Sequence, residues 1–168
     1  MNCLLVSATS LEISPFIQHC RNSYKLDYID LHLDFLITGV GMLNTTYALM
    51  KHLQLKRPTV VIDAGIAGTF SNKSEFLERT SLPQVNSISV NQITTSKKKA
   101  ELYQTKYKAH IENMEGAAVH YVCLREKIPF VQIRSISNVV GDRNKRNWKL
   151  KEAVNNLNTE LIRLVESL

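Results

Sequence analysis

Three glutamates are the residues of this sequence whose type and spacing could do chemistry together. Glu12 follows an apolar run near the N-terminus, and Glu112 and Glu115 lie in the second half of the chain. Carboxylates that converge from distant positions suit a reaction through a cationic transition state at a sugar carbon. One would activate water, and another would hold ribose hydroxyls. A structural explanation stays open for Glu112 and Glu115, because the helix dipole favours acidic residues in a first helical turn.

Two glycine clusters follow predicted strands. Gly39 and Gly41 form one cluster, and Gly65 and Gly68 form the other. Glycine lets a backbone approach a ligand closely, but tight turns between strands and helices need it as well. Neither cluster continues into the Gly-Lys-Ser/Thr of a phosphate-binding loop, and neither is a complete GxGxxG. The spacing therefore leaves a ligand-binding role and a structural role open.

Other kinds of site find little support in the sequence. The five histidines lack metal-ligand spacing, and no CxxC or GxSxG occurs. We therefore expect no metal ion. The three cysteines cannot all pair with one another, which favours a reducing, cytoplasmic setting.

Composition is typical of one globular domain. The 168 residues are 44% hydrophobic, with 21 Lys+Arg against 15 Asp+Glu and a net charge of +6. Basic stretches at Lys97–Lys99 and Arg143–Lys151 carry only Trp148 as an aromatic neighbour, so we expect solvated surface and no nucleic-acid partner. The sequence has neither an apolar run long enough to cross a bilayer nor a basic leader, so we also expect no membrane partner.

Apolar runs alternate with helical patterns along the chain. This alternation predicts an α/β fold with a largely parallel central sheet, in which ligands bind at the carboxyl ends of the strands. Asn72–Pro83 is polar and shows no assignable pattern. The predicted strands are Cys3–Ala8, Leu31–Thr38, Thr59–Asp63, Val85–Thr94 and Phe130–Ser137, and the predicted helices are Glu12–Cys20, Asn44–Leu55, Lys97–Lys108, Glu112–Lys127 and Leu150–Leu168.

Five segments, in order along the chain, resemble motifs of the nucleoside phosphorylase and nucleosidase superfamily. They are Ala8–Glu12, Gly39–Asn44, Asp63–Gly68, Glu112–Ala118 and Arg134–Arg143. The resemblance implies a three-layer α/β/α fold with a mostly parallel mixed sheet, a single domain over residues 1–168 and a homodimer without a cofactor. Within the superfamily, Ile136–Arg143 followed by Trp148 is most similar to the futalosine hydrolase branch.

That branch implies a reaction and a set of roles. The reaction is hydrolysis of the N-ribosidic bond of futalosine, in menaquinone biosynthesis, to hypoxanthine and dehypoxanthine futalosine. The alternatives are a purine nucleoside phosphorylase, a methylthioadenosine/S-adenosylhomocysteine nucleosidase or a non-catalytic nucleoside-binding relative. By position, Glu12 would activate water, Glu115 would accept hydrogen bonds from the ribose hydroxyls, and Met114 would pack under the ribose. Ala67 and Gly68 would line the pocket through their backbone, and Asn138 would face N7 and O6 of the purine. Arg143 is a candidate for binding the carboxylate end of the substrate, although a surface ion pair explains it equally well.

The amide at Asn138 predicts the class of base. Related nucleosidases acting on methylthioadenosine carry Asp at the matching position, which can share a proton with adenine N7. An amide instead presents a donor and an acceptor side by side. Its NH2 can donate to a 6-oxo group while its oxygen accepts from a protonated N7. The hypothesis is therefore a 6-oxopurine leaving group.

Two acidic residues predict that water, rather than phosphate, is the nucleophile. Phosphorylases of the superfamily bind phosphate with an Arg and a Ser near the turn after the third strand, and here the matching positions are Asp63 and Ile66. Asp63 would repel phosphate, and Glu12 would occupy the space that phosphate needs.

The segment after Ser71 departs from the family pattern. Members of the family continue there with a long strand, a substrate-covering loop and a helix before the segment that matches Leu82–Thr95. Only Asn72–Ser81 intervenes in this sequence. Either the protein has lost that piece or the sequence omits it, and the intact positions on both sides favour omission. An intact mass well above 19.1 kDa would support it.

Overall fold

The computed structural model describes residues 1–22, 31–71 and 82–167. Strands and helices alternate along these ranges, as the hydrophobic pattern predicts. The strands are β1 (Asn2–Ser7), β2 (His32–Ile37), β3 (Val60–Thr69), β4 (Ser87–Ser89), β5 (Ile111–Asn113) and β6 (Phe130–Val139), and the helices are α1 (Ser10–Asn22), α2 (Met42–Leu55), α3 (Lys97–Tyr107), α4 (Gly116–Glu126) and α5 (Leu150–Glu166), with a short 3-10 turn at Lys145–Asn147.

Strand β3 is the centre of the sheet. It pairs in parallel with β1 along its first half and with β6 along nearly its whole length, and β2 continues the sheet beyond β1. The last residues of β3 pair with β5 in antiparallel orientation, and β4 lies parallel to β5. The sheet is therefore mixed but mostly parallel, which confirms the predicted fold class.

Helices cover both faces of the sheet and give the three layers. On one face, α1 and α5 pack around Phe16, Leu157 and Leu161. On the other face, α2 and α4 pack around Leu49 and Val119. These side chains are almost completely buried, so each face has its own apolar core. Among the described helices, none is long and apolar enough to cross a bilayer.

Three sequence predictions need correction near the carboxyl end of β3. The strand runs through Gly65 and Gly68 to Thr69, so these glycines lie within a strand rather than after one. The predicted strand over Val85–Thr94 is reduced to the three residues of β4. Glu112 lies in β5 and does not open a helix. The unassigned segment over 72–83 lies outside the described residues from 72 to 81.

The side chain of Asn113 explains why α4 begins later than its helical pattern predicts. Its Oδ1 accepts hydrogen bonds from the backbone N–H groups of Glu115, at 3.1 Å, and Gly116, at 2.8 Å. Side chains of this type satisfy the free N–H groups at a helix start and favour non-helical backbone at their own position. The preceding residues are thereby free to pair as β5.

Candidate active site

Glu12 is the most heavily hydrogen-bonded carboxylate of the site. It is the third residue of α1, and its Oε2 accepts from the backbone N–H of Thr9, at 3.0 Å, as in a helix capping box. Oε2 also accepts from the hydroxyls of Thr9, at 2.8 Å, and Ser7, at 3.3 Å. Oε1 accepts from the backbone N–H of Ile66 in β3, at 3.0 Å. The carboxylate thus links the residues that follow β1 to the second half of β3, and it occupies backbone N–H groups that a bound anion would otherwise need.

A second helix holds the backbone of Glu12 in place. Pro15 stands inside α1, where it lacks an N–H and crowds the preceding turn. The buried amide of Asn158, from α5, lies against this turn. Its Nδ2 donates to the carbonyl of Glu12, and its Oδ1 accepts from the N–H of Phe16, both at 2.8 Å. These two groups are the i and i+4 partners of a regular helix, so Asn158 reinforces α1 where proline weakens it.

Arg134 is a residue of the site that the sequence analysis assigned no role. A Cβ built on Gly65 would lie 3.0 Å from Oε1 of Glu12 and 3.1 Å from Nη1 of Arg134. Glycine at this position therefore lets both charged groups approach the same point. The available signal was an arginine inside a predicted strand, since an arginine is almost never fully buried without a partner.

The partner of Arg134 changes the prediction for Asp63. Nη2 of Arg134 lies 2.6 Å from Oδ2 of Asp63, and both side chains are nearly inaccessible to solvent. The charge of Asp63 is balanced inside the protein by Arg134, so repulsion of phosphate by this residue stays a prediction with less physical support. The backbone N–H of Ile66 nearby already donates to Glu12.

Glu115 lies at the start of α4 and faces the glycine turn before α2. Oε1 accepts from the N–H of Gly41, at 2.8 Å, and Oε2 accepts from the N–H of Met114, at 3.2 Å. Gly41 has a φ of 94°, a left-handed conformation that favours glycine. Burial raises the pKa of Glu115, and the charge of Glu12 acts in the same direction, against the two hydrogen bonds and Arg134. The two glutamates therefore lie close enough to interact.

A cleft beside these carboxylates gathers four of the residues expected to bind substrate. Gly68, Met114, Asn138 and Arg143 line it, with Arg143 exposed. Ala67, Glu12 and Glu115 are not among its lining residues. Ala67 is buried in β3 next to Gly68, and Ile66, which Glu12 binds, is two residues before Gly68. The remaining lining residues are Ile93, Thr94, Thr95, Glu112, Asn113, Val140, Gly141, Asp142 and Trp148.

Asn138 lies in β6 at the floor of the cleft. Its Oδ1 accepts from the hydroxyl of Ser137, at 2.8 Å, and its Nδ2 donates to the carbonyl of Val139, at 3.1 Å. A Cβ on Gly68 would lie 3.3 Å from that Nδ2 and 3.0 Å from a methyl of Val140. The Asn138 amide and the Val140 methyl thus pack closely against position 68, where glycine leaves them room.

The fold and these side chains define an α/β protein with a carboxylate site at the strand ends of a mixed sheet. The chain belongs to the phosphorylase superfamily, whose family model matches residues 81–168. This finding confirms the superfamily resemblance, and the matched range contains two of the five motifs, Glu112–Ala118 and Arg134–Arg143.

The chain is also similar to individual proteins of this superfamily. It is 40% identical over 57 residues to a futalosine hydrolase of Thermus thermophilus, a stretch that covers 34% of this chain and 25% of that relative. It also resembles the structure of a futalosine hydrolase mutant of Helicobacter pylori, with a TM-score of 0.82, 17% identity and 100% of both chains covered. A methylthioadenosine/S-adenosylhomocysteine nucleosidase of Neisseria meningitidis, in complex with methylthio-immucillin-A, gives a TM-score of 0.80 with 16% identity and 99% of both chains covered.

Proposed function

We propose that this chain hydrolyses the N-ribosidic bond of futalosine and releases hypoxanthine. The observation that carries the proposal is the position of the Glu12 carboxylate. It accepts hydrogen bonds from the backbone N–H groups of Thr9, just after β1, and of Ile66, in the second half of β3. A phosphate nucleophile would need such donors for its own oxygens, whereas water needs a carboxylate that can accept its proton. The 40% identity to a futalosine hydrolase supports the choice of substrate.

The proposed mechanism assigns each group one task. Glu12 accepts a proton from water as the water oxygen forms a bond to C1′ of the ribose. The bond from C1′ to the purine nitrogen breaks, and its electron pair leaves with the base. Glu115 accepts hydrogen bonds from the ribose hydroxyls and stabilises positive charge on the sugar. The departing purine takes up a proton from solvent at N7. Asn138 stabilises this base, its oxygen accepting from N7–H and its NH2 donating to O6.

Release of hypoxanthine from futalosine, with and without phosphate, tests this proposal. We expect a rate that does not depend on phosphate and a fall of about 10²–10⁴-fold in Glu12→Gln, because the amide cannot accept the proton of water. Glu101→Gln is the matched control, since Glu101 is exposed on α3.

Three results would contradict the proposal. A rate proportional to phosphate would indicate a phosphorylase. Faster release of adenine from methylthioadenosine than of hypoxanthine from futalosine would indicate the other nucleosidase branch. Binding without any turnover would indicate a nucleoside-binding relative.

We also propose that residues 1–168 act as a single domain in a cytoplasmic homodimer. All three cysteines lie in the described ranges and are free, which suits a reducing compartment. Large apolar side chains project from α2 and α4, which cover the same face of the sheet. They are Leu43, Tyr47, Tyr121 and Leu124, and each is more than half exposed. A second copy of the chain would bury this surface.

A further inference from the structure

The floor of the cleft is a row of three residues across three strands. Gly68 of β3 is the register partner of Glu112 in β5 on one side and of Asn138 in β6 on the other. Residues directly opposite each other in a sheet project from the same face. Neighbouring strands are about 4.8 Å apart, so Glu112 and Asn138 stand roughly 10 Å apart with a glycine between them. Glycine places no side chain of its own between these two polar residues, both of which line the cleft.

Glu112 has one oxygen without a partner. Its Oε1 accepts from the N–H of Thr94, at 2.8 Å. Its Oε2 is buried and has no hydrogen-bond partner among the described residues, and the same holds for the hydroxyl of Thr94. Glu112 is only 6% exposed, yet it lines the cleft together with Asn138. A buried carboxylate oxygen left unpaired is costly, so a donor supplied by a ligand would stabilise this arrangement.

The chemistry of purines identifies which donor fits. A 6-oxopurine carries a hydrogen on N1, next to its 6-oxo group, whereas a 6-aminopurine has a lone pair on N1. An ionised carboxylate only accepts hydrogen bonds, so it attracts the first base and repels the second. Asn138 already suits the N7 and O6 edge of a 6-oxopurine. A second group that recognises N1 would further distinguish a 6-oxopurine from a 6-aminopurine.

We propose that Glu112 is a specificity-determining residue that accepts a hydrogen bond from N1–H of a 6-oxopurine base. The inference rests on the proposed function, since it names the group that selects the base in the same site. It assigns to Glu112 a role separate from those of Glu12 and Glu115. Glu112 contacts the base, whereas Glu12 activates water and Glu115 binds the sugar.

Binding of free bases tests the inference without requiring turnover. Trp148 is the single tryptophan of the chain and lines the cleft, so its fluorescence can report occupancy. We expect hypoxanthine to bind about 10-fold or more tightly than adenine, because a site built around one hydrogen bond rejects the analogue that lacks it. We expect 1-methylhypoxanthine, which has no N1–H, to bind as weakly as adenine. Equal binding of hypoxanthine and its 1-methyl derivative would overturn the inference.

Glu112→Gln gives a second, independent readout. Its amide oxygen can still accept from Thr94, and its NH2 can donate to N1 of adenine, so we expect the preference for hypoxanthine to shrink or reverse. Glu101→Gln, an exposed glutamate on α3, should leave the preference unchanged. If the ratio of the adenine Kd to the hypoxanthine Kd in Glu112→Gln stays within about twofold of the wild-type ratio, the inference is overturned.

Catalytic assays separate a failure of this inference from a failure of the proposed function. Absence of hypoxanthine release from futalosine would overturn the function, while the base preference would still decide the role of Glu112. If futalosine is hydrolysed, Glu112→Gln should lower kcat/KM for futalosine and raise it for the 6-amino analogue. Equal losses for both substrates would indicate a structural role and overturn the inference.

Discussion

The two carboxylates proposed for water and sugar differ in how the protein surrounds them. Glu12 accepts from two hydroxyls and two backbone N–H groups, so its position is fixed from several directions. Glu115 accepts from two backbone N–H groups and remains partly open to solvent. A rigid carboxylate suits orientation of one water molecule, and an accessible one suits contact with two hydroxyls of a substrate. The difference at the residue scale matches the tasks proposed for them.

The raised pKa of Glu115 predicts how activity depends on pH. Only the ionised carboxylate can accept hydrogen bonds from both ribose hydroxyls, and burial moves its pKa above the ordinary value of 4.5. We expect kcat/KM for futalosine to fall on the acid side at a pH above 4.5. A pH profile of hypoxanthine release measures this. Glu115→Gln should lose activity at every pH, and an acid limb centred below 4.5 in the wild type would contradict the assignment.

The same shift predicts how stability depends on pH. The folded state binds the proton of Glu115 more tightly than the unfolded chain does, so this stabilisation is complete below pH 4.5 and is lost as pH rises through the folded pKa. Glu115→Gln carries no charge to desolvate. The free energy of unfolding of the variant, relative to wild type, should therefore increase over that pH range, and a constant difference in denaturant titrations would contradict the shift.

At the scale of elements, α1 depends on α5 for the geometry of its first turns. Replacing Asn158 by Ala removes the side chain that contacts Phe16 N–H and the Glu12 carbonyl. Loss of these buried contacts should lower the free energy of unfolding by about 1–3 kcal/mol. It should also loosen Glu12, which we expect to increase hydrogen exchange at the Ile66 amide and to lower kcat more than it changes KM. Denaturant unfolding, amide exchange and steady-state kinetics measure the three effects.

The matched control for this change is Asn156→Ala, an exposed asparagine on the same helix. It should stay within about 0.5 kcal/mol of wild type and leave exchange at Ile66 unchanged. A loss of stability in Asn158→Ala without faster exchange at Ile66 would mean that α5 stabilises the fold without positioning Glu12.

Sequence patterns predicted the long elements but not the short ones that shape the cleft. Apolar periodicity marks β1 and α5 clearly, because each buries a continuous face. The three-residue strand β5 carries no such period, and its acidic residue was assigned to a helix start. The ion pair of Arg134 with Asp63 and the contact of Asn158 with Glu12 join residues far apart in the chain. Such pairings depend on strand order, which hydrophobic periodicity does not specify.

At the scale of the whole molecule, the two helices that cover one face of the sheet, α2 and α4, expose large apolar side chains to solvent. Leu43 and Tyr47 on α2 and Leu124 on α4 are exposed by 86%, 70% and 68%. Large exposed apolar patches typically mark interfaces, and these side chains lie on two helices that pack against each other. The turn before α2 supplies the Gly41 N–H that binds Glu115, so an interface here would also hold the sugar side of the site.

A charged substitution in this apolar surface tests whether it forms the dimer interface and whether that interface supports the sugar side of the site. Leu43→Glu should convert the proposed dimer to a monomer, because a carboxylate would be buried without a partner, at a cost of several kcal/mol. Sedimentation velocity measures the oligomeric state, and we expect KM for futalosine to rise in the variant because Gly41 and Glu115 lose their support. Leu55→Glu, an equally exposed leucine at the far end of α2, is the control and should remain dimeric. A wild-type chain that sediments as a monomer, or a Leu43→Glu variant that stays dimeric, would show that the partner surface lies elsewhere.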